Sequence, residues 1–99
     1  MLNVYQTKGK VIEYLGMGSW HFIAVPEKES ASIKATFTDL KRGFGSLRVI
    51  AQVGKTKWKT SIFPDNKTKT YLLPLKSEVR KKERVIAGDT IAFSLEILV

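Results

Sequence analysis

The chain has 99 residues, no cysteine and a formal net charge of +8, with 43% hydrophobic and 26% charged residues. This composition is that of a folded protein rather than a disordered one, and the length predicts a single domain, residues 1–99. The absence of cysteine excludes a disulfide, a thiol nucleophile and a thiolate metal site. No apolar run approaches the roughly 18 residues that span a membrane. The N-terminus has no apolar segment of the signal-peptide type, so we expect a cytoplasmic protein that does not enter a membrane.

The first part of the chain predicts two strands joined by a turn. The strands are "KGKVIEYL" (8–15) and "SWHFIAV" (19–25), and Gly16 and Gly18 mark the turn between them. The second strand contains His21, the one histidine of the chain. A zinc site needs three or four ligands, and only carboxylates would supply the others here. We therefore interpret His21 as a structural residue near the core.

The segment "PEKESASIKATFTDL" (26–40) predicts the longer of two helices. Pro26 suits the first helical position, where its missing N–H would have no partner in any case. Ile33, Phe37 and Leu40 recur at i, i+4 and i+7, so one face of this helix is apolar.

The clearest local prediction is a β-hairpin in the middle of the chain. The segments 46–53 and 56–62 both alternate between apolar and polar residues. The two residues between them, with Gly54 first, suit a type II′ turn. That turn places Ala51 opposite Trp58, so both apolar faces coincide and a shift of one residue would destroy the match. We expect Trp58 to lie inside, beside the small side chain of Ala51.

The other face of this hairpin is polar and basic. It holds the side chains of Arg48, Ile50, Gln52, Lys57, Lys59 and Ser61. The predicted register sets Arg48 opposite Ser61 and Ile50 opposite Lys59. Because an alternating strand must turn polar residues to water, the hairpin alone favours a solvated row of cations over a dedicated anion site.

The last third of the chain predicts a turn, a strand, a helix and a final strand. The turn is "PDNKT" (64–68), and the strand that follows is "KTYLLPL" (69–75). Pro74 either ends this strand or confines it to the edge of a sheet. Residues 76–82 form about two helical turns, with Val79 turned inward.

The closing segment, residues 85–99, contains a turn and an alternating strand. Gly88 and Asp89 belong to the turn, and we expect the Asp89 carboxylate to accept hydrogen bonds from backbone amides two residues further on. About six strands with one medium and one short helix predict an all-β fold, a small barrel capped by helices.

The basic excess is confined to one block of the sequence. Residues 41–84 contain thirteen Lys or Arg against three acidic residues. Such asymmetry attracts anionic ligands, although a solvated charge run is the plainer reading. Lys76 and Arg80 are four residues apart and share a helix face. The predicted anion site consists of Ser61, Lys76 and Arg80, with Arg48 and Lys59 nearby.

Two other functions would use some of the same residues. Nucleic-acid binding needs cations along the backbone and free aromatics for a single strand; we expect Phe44 and Tyr71 to be exposed. Ser61 and Lys76 would be a nucleophile and a base in an enzyme, but no oxyanion-hole turn is recognisable.

The order of motifs resembles one bacterial family over nearly all of residues 10–98. The motifs are "GSWHFIAVP", "LRVIAQVGKTKWKTSIFP", "YLLPLKSEVRK" and "AGDTIAFSLEI", with a helix after the first. The family is the one known as domain of unknown function 1905. The positions that match its motifs are Trp20, Val25, Pro26, Trp58, Thr60, Ser61, Leu73, Pro74, Lys76, Arg80, Gly88 and Asp89.

The resemblance implies a double-split β-barrel, a distant relative of the barrels of AbrB-like transcription regulators. Of the matching positions, we interpret Trp20, Pro26, Trp58, Gly88 and Asp89 as structural. Family members are often fused to a domain resembling the YdeI/OmpD-associated bacteriocin-protection proteins. The family name assigns no activity.

These observations favour a non-enzymatic binding module for an anionic ligand, either a phosphate-containing small molecule or a nucleic acid. The alternative is an accessory domain that pairs with itself or with a YdeI-like protein. An enzyme is the third reading, and no cofactor is expected.

Overall fold

The computed structural model describes residues 3–14, 20–37 and 45–98, which form six strands and two helices. The elements in chain order are β1 (Val4–Tyr14), β2 (Trp20–Ala24), α1 (Glu27–Thr36), β3 (Leu47–Val53), β4 (Thr56–Asp65), β5 (Thr70–Pro74), α2 (Ser77–Glu83) and β6 (Thr90–Ile97).

The strands close into an antiparallel barrel in the order β1-β2-β5-β4-β3-β6. Both long strands divide between two half-sheets. Residues 4–10 of β1 pair with β6, and residues 11–14 pair with β2. Residues 56–62 of β4 pair with β3, and residues 63–65 pair with β5. The predicted all-β barrel of six strands with one medium and one short helix is confirmed.

The β3–β4 hairpin has the predicted register. Ala51 lies opposite Trp58 and Arg48 lies opposite Ser61. Gly54 opens the turn with φ +58°, a conformation that L side chains rarely adopt. A Cβ atom at Gly54 would also collide with the carboxylate of Glu83, because α2 packs against this end of the hairpin.

The core fills the barrel interior and continues into both helices. Ile33 and Phe37 at α1 and Val79 of α2 are buried in it, as the sequence predicts, and Val85 is buried beside them. Trp58 packs against this core from the inner face of β4, but its side chain is only partly buried. The predicted contribution of Leu40 and the predicted turn at glycines 16 and 18 lie outside the described residues.

Several element boundaries differ from the sequence prediction. β1 begins at Val4 rather than at residue 8, because its first seven residues pair with the distant β6. Pro26 caps α1 instead of occupying its first turn. β4 continues through Pro64 to Asp65. The pairing with β3 stops at Ile62, so the missing N–H of Pro64 interrupts no bond to β3.

Two side-chain predictions were wrong. Tyr71 is 3% exposed, not free, since β5 turns it to the core and α1 covers it. The Asp89 carboxylate accepts from the amide of Ile86, three residues earlier at 3.1 Å, rather than from an amide further on. Gly88 does belong to a turn, with φ +97°.

Neither described helix is long and apolar enough to cross a membrane.

Candidate anion-binding pocket

An open pocket of about 390 Å³ lies where β2, β5 and α2 meet. Its walls are formed by Trp20 and His21 of β2, by Pro74 and Leu75 at the end of β5, and by Lys76, Ser77 and Arg80 at α2. The lining contains one lysine and one arginine and no carboxylate.

Sheet pairing brings these distant segments together. Phe22 of β2 lies opposite Pro74 of β5, and the Leu75 amide donates to the carbonyl of His21 at 2.8 Å. Pro74 ends β5, so the chain turns directly into α2 beside the start of β2. Lys76 and Ser77 at the start of α2 therefore line the same pocket as Trp20 of β2.

Lys76 and Arg80 are held one helical turn apart on the pocket wall. The Arg80 amide donates to the Lys76 carbonyl at 3.2 Å. The Arg80 Nε also donates to the carbonyl of Leu75 at 3.2 Å, which fixes the direction of the guanidinium and leaves its terminal nitrogens available. Lys76 and Arg80 both line the pocket, which agrees with the prediction that they share one face.

Glu83 at the end of α2 and Asp89 in the turn after it accept hydrogen bonds from other groups. Glu83 accepts a hydrogen bond from the Thr56 hydroxyl at 2.6 Å, and Asp89 accepts from the Ile86 amide. Among the described residues, neither Lys76 nor Arg80 forms an ion pair. No described carboxylate therefore lies within ion-pair distance of Lys76 or Arg80.

The opposite side of the pocket is aromatic. The Trp20 side chain is 55% exposed, and its ring centroid lies 6.0 Å from that of Phe22. Phe22 is buried and packs in turn against Tyr14, with a centroid distance of 5.1 Å. Trp20, which was predicted to be structural, thus lines the pocket instead of only packing in the fold. The available signal was alternation, which sets Trp20 and Phe22 on one face of β2 and His21 on the other.

His21 is buried at the edge of the pocket and interacts with groups inside the protein. Its backbone carbonyl anchors Leu75, as described above. Within residues 3–14, 20–37 and 45–98, no three His, Asp or Glu side chains are grouped in a way that would hold a metal ion.

The other predicted site residues lie on the outer face of the hairpin. Arg48 is opposite Ser61 and Lys59 is opposite Ile50, and both cations are exposed. None of Arg48, Lys59 and Ser61 lines the pocket. The structure thus brings together two of the five predicted residues in a concavity and leaves three on the strand surface.

A second, larger pocket of about 610 Å³ lies between α1 and the β4–β5 turn. Its two lysines, Lys34 and Lys69, share the lining with Asp65, which partly compensates their charge. The Ser30 hydroxyl in its wall already bonds the Val25 carbonyl and the Tyr71 amide, each at 3.0 Å. Burial raises the pKa of Tyr71, so its phenol stays neutral at physiological pH. Because a carboxylate shares its lining, this pocket is the less basic of the two.

Fold and pocket together define a small, closed six-stranded β-barrel with a basic pocket at the junction of two strands and a helix. The chain belongs to the family described as domain of unknown function (DUF1905), whose model matches residues 8–95. The match includes every residue that lines the pocket, and it confirms the family resemblance seen in the sequence. Comparison with curated proteins finds no match.

Proposed function

We propose that this protein is a non-enzymatic binding module that holds a small anionic ligand between Lys76 and Arg80. One observation carries the proposal. These two cations line the same pocket, no acidic residue joins them there, and among the described residues neither is ion-paired. A phosphate or carboxylate placed between them would supply the missing negative charge.

The geometry of Arg80 favours an oxyanion over other ligands. A guanidinium presents its donors as a planar fork that matches two oxygens of a phosphate or carboxylate. The bond from Nε to the Leu75 carbonyl orients this fork before any ligand arrives, which lowers the entropy lost on binding. The pocket volume of about 390 Å³ lies within the range of roughly 300–1,000 Å³ that is usual for small-molecule sites.

The binding experiment compares matched charge-removing variants. Inorganic phosphate, added at about ten times its dissociation constant, should stabilise the wild-type protein by about 1.4 kcal/mol. Arg80→Gln and Lys76→Gln should lose this stabilisation. Lys59→Gln, which removes one charge from the exposed face of β4, should keep it. Equal losses in all three variants would show general charge attraction and would contradict a site at the pocket.

An accessory role is the second candidate, because an exposed aromatic residue lies away from the pocket. Phe63 on the second part of β4 is 42% exposed and does not line the pocket. A protein of the YdeI/OmpD-associated type is the partner we propose for this surface. Co-expression with such a protein should give a complex that Phe63→Ser weakens and Lys59→Gln leaves intact. Purification of the two proteins as separate species would reject this role. For either function, we infer a cytoplasmic location.

A further inference from the structure

We propose that the ligand of the pocket is a nucleoside phosphate, with its base stacked on Trp20 and its phosphate between Lys76 and Arg80. The phosphate half of this inference rests on the proposed function. The base half rests on Trp20 alone and can fail separately.

Trp20 is exposed at the wall of the pocket. Half of this large apolar side chain faces solvent, although the barrel has an interior in which aromatic residues are buried. The other large hydrophobic side chains exposed among the described residues, Val4, Phe63 and Ile86, do not line the pocket. Trp20 therefore supplies a flat apolar surface in the pocket that Lys76 and Arg80 also line.

The Trp20 indole packs against a row of two further aromatic rings. Phe22 packs against it at a tilt of 35°, and Tyr14 packs against Phe22 at 52°. Phe22 itself is buried and lies opposite Pro74 in the sheet. A ring held by such a row is pre-positioned for stacking, so little side-chain freedom is lost when a flat ligand binds.

The aromatic and basic walls of the pocket match the two parts of a nucleoside phosphate. A planar base has a π face that stacks on an indole, and such stacking is worth roughly 5- to 150-fold in affinity. The phosphate of the same molecule matches a planar guanidinium and an ammonium. A simple phosphate would use only the basic wall of the pocket and leave the aromatic wall exposed. A nucleoside phosphate uses both.

The test follows the fluorescence of Trp20. The chain has two tryptophans, so Trp58→Phe makes Trp20 the sole emitter. Adenosine monophosphate should quench this emission and bind at least about fivefold more tightly than inorganic phosphate, because stacking adds to the ionic contacts. If Trp58→Phe does not fold, the two indole N–H resonances of the wild-type protein report the same event.

Variants at Trp20 separate the two halves of the inference. Trp20→Leu should reduce the affinity for adenosine monophosphate to that for phosphate and leave phosphate binding unchanged. Trp20→Phe should retain part of the difference, since a phenyl ring still stacks. Equal affinities for the nucleotide and phosphate in the wild-type protein would overturn the base-stacking inference and leave the anion site standing. No binding of either probe would overturn both.

The same chemistry is available from a free nucleotide or from the terminal nucleotide of a single strand. A 5′-phosphorylated oligonucleotide of about eight residues distinguishes them. Binding tighter than that of adenosine monophosphate, with a steeper dependence on salt, identifies the strand end as the source. Equal or weaker binding identifies the free nucleotide. Tight binding of the nucleotide and of the oligonucleotide should each require Trp20 and Arg80. If Trp20→Leu bound either of these two ligands as tightly as the wild-type protein does, the proposal would be contradicted.

Discussion

The β3–β4 hairpin and the pocket corner both present cations to solvent, but the surfaces that carry these cations differ in shape. On the hairpin, Arg48 and Lys59 project from an open strand face into water. At the corner, Lys76 and Arg80 line a concavity, and a backbone carbonyl orients one of them. Charge on a convex surface is screened by solvent, whereas charge that converges in a pocket acts on one ligand. The shape around the cations therefore matters more than their number.

The two regions also differ in what holds them together. The hairpin is closed by a two-residue turn, and its inner face packs into the barrel core. The corner joins residues as far apart in sequence as Trp20 and Arg80 through the pairing of β2 with β5. Substitutions in the hairpin interior should thus affect stability, while substitutions at the corner should affect binding.

The largest expected effect is on the hairpin interior. Trp58→Ala should lower the free energy of unfolding by about 3 kcal/mol, the low end for such a truncation, because the side chain is only partly buried. Urea unfolding measures it. A loss under about 1 kcal/mol would mean that Trp58 contributes little to the core, contrary to its packing on the inner face.

A smaller effect is expected where the hairpin touches α2. Thr56→Val removes the hydrogen bond to the partly buried Glu83 carboxylate and should cost about 1.5 kcal/mol, the lower range for bonds to charged groups. A double-mutant cycle with Glu83→Ala, which removes the acceptor, checks the assignment. The combined loss should fall short of the sum of the single losses; simple additivity would show that the two side chains do not interact.

At the corner, stability and binding should separate. Arg80→Ala should cost about 1 kcal/mol in the absence of ligand, because Arg80 is partly buried and its Nε bonds the Leu75 carbonyl. This is more than expected of a fully exposed arginine. The same variant should lose all stabilisation by phosphate. Thermal unfolding with and without phosphate gives both values, and an unchanged response to phosphate would remove Arg80 from the site.

The smallest effects are expected on the outer hairpin face. Arg48→Gln and Lys59→Gln should each change the free energy of unfolding by less than about 0.5 kcal/mol, as substitutions of solvated surface residues usually do. Both should bind phosphate like the wild-type protein. A loss of binding in either would shift the anion site from the corner to the hairpin.

The difference between the regions also explains which features were predictable from sequence. The hairpin register follows from alternation and one turn, both of which are local. The pairing of β2 with β5 is not local, so nothing near Trp20 in the sequence indicates that it shares a pocket with Arg80. The prediction that Lys76 and Arg80 lie on one face was possible because four-residue spacing on a helix is local too.

Ser61 shows the limit of the same reasoning. Its match to a family motif places it in the predicted site with Lys76 and Arg80, but it lies opposite Arg48 and does not line the pocket. Tyr71 was expected on the surface because a short apolar strand does not reveal which of its faces a helix will cover. In both cases, the missing information was the arrangement of distant elements.

Amide chemical-shift mapping during a titration with inorganic phosphate tests the central claim most directly. We predict that the shifts concentrate in the backbone amides of residues 75–81, around Lys76 and Arg80. Residues 48–61 on the hairpin should change little. Shifts confined to the hairpin, or spread evenly over the lysines of the basic block, would contradict an anion site at the corner of β2, β5 and α2.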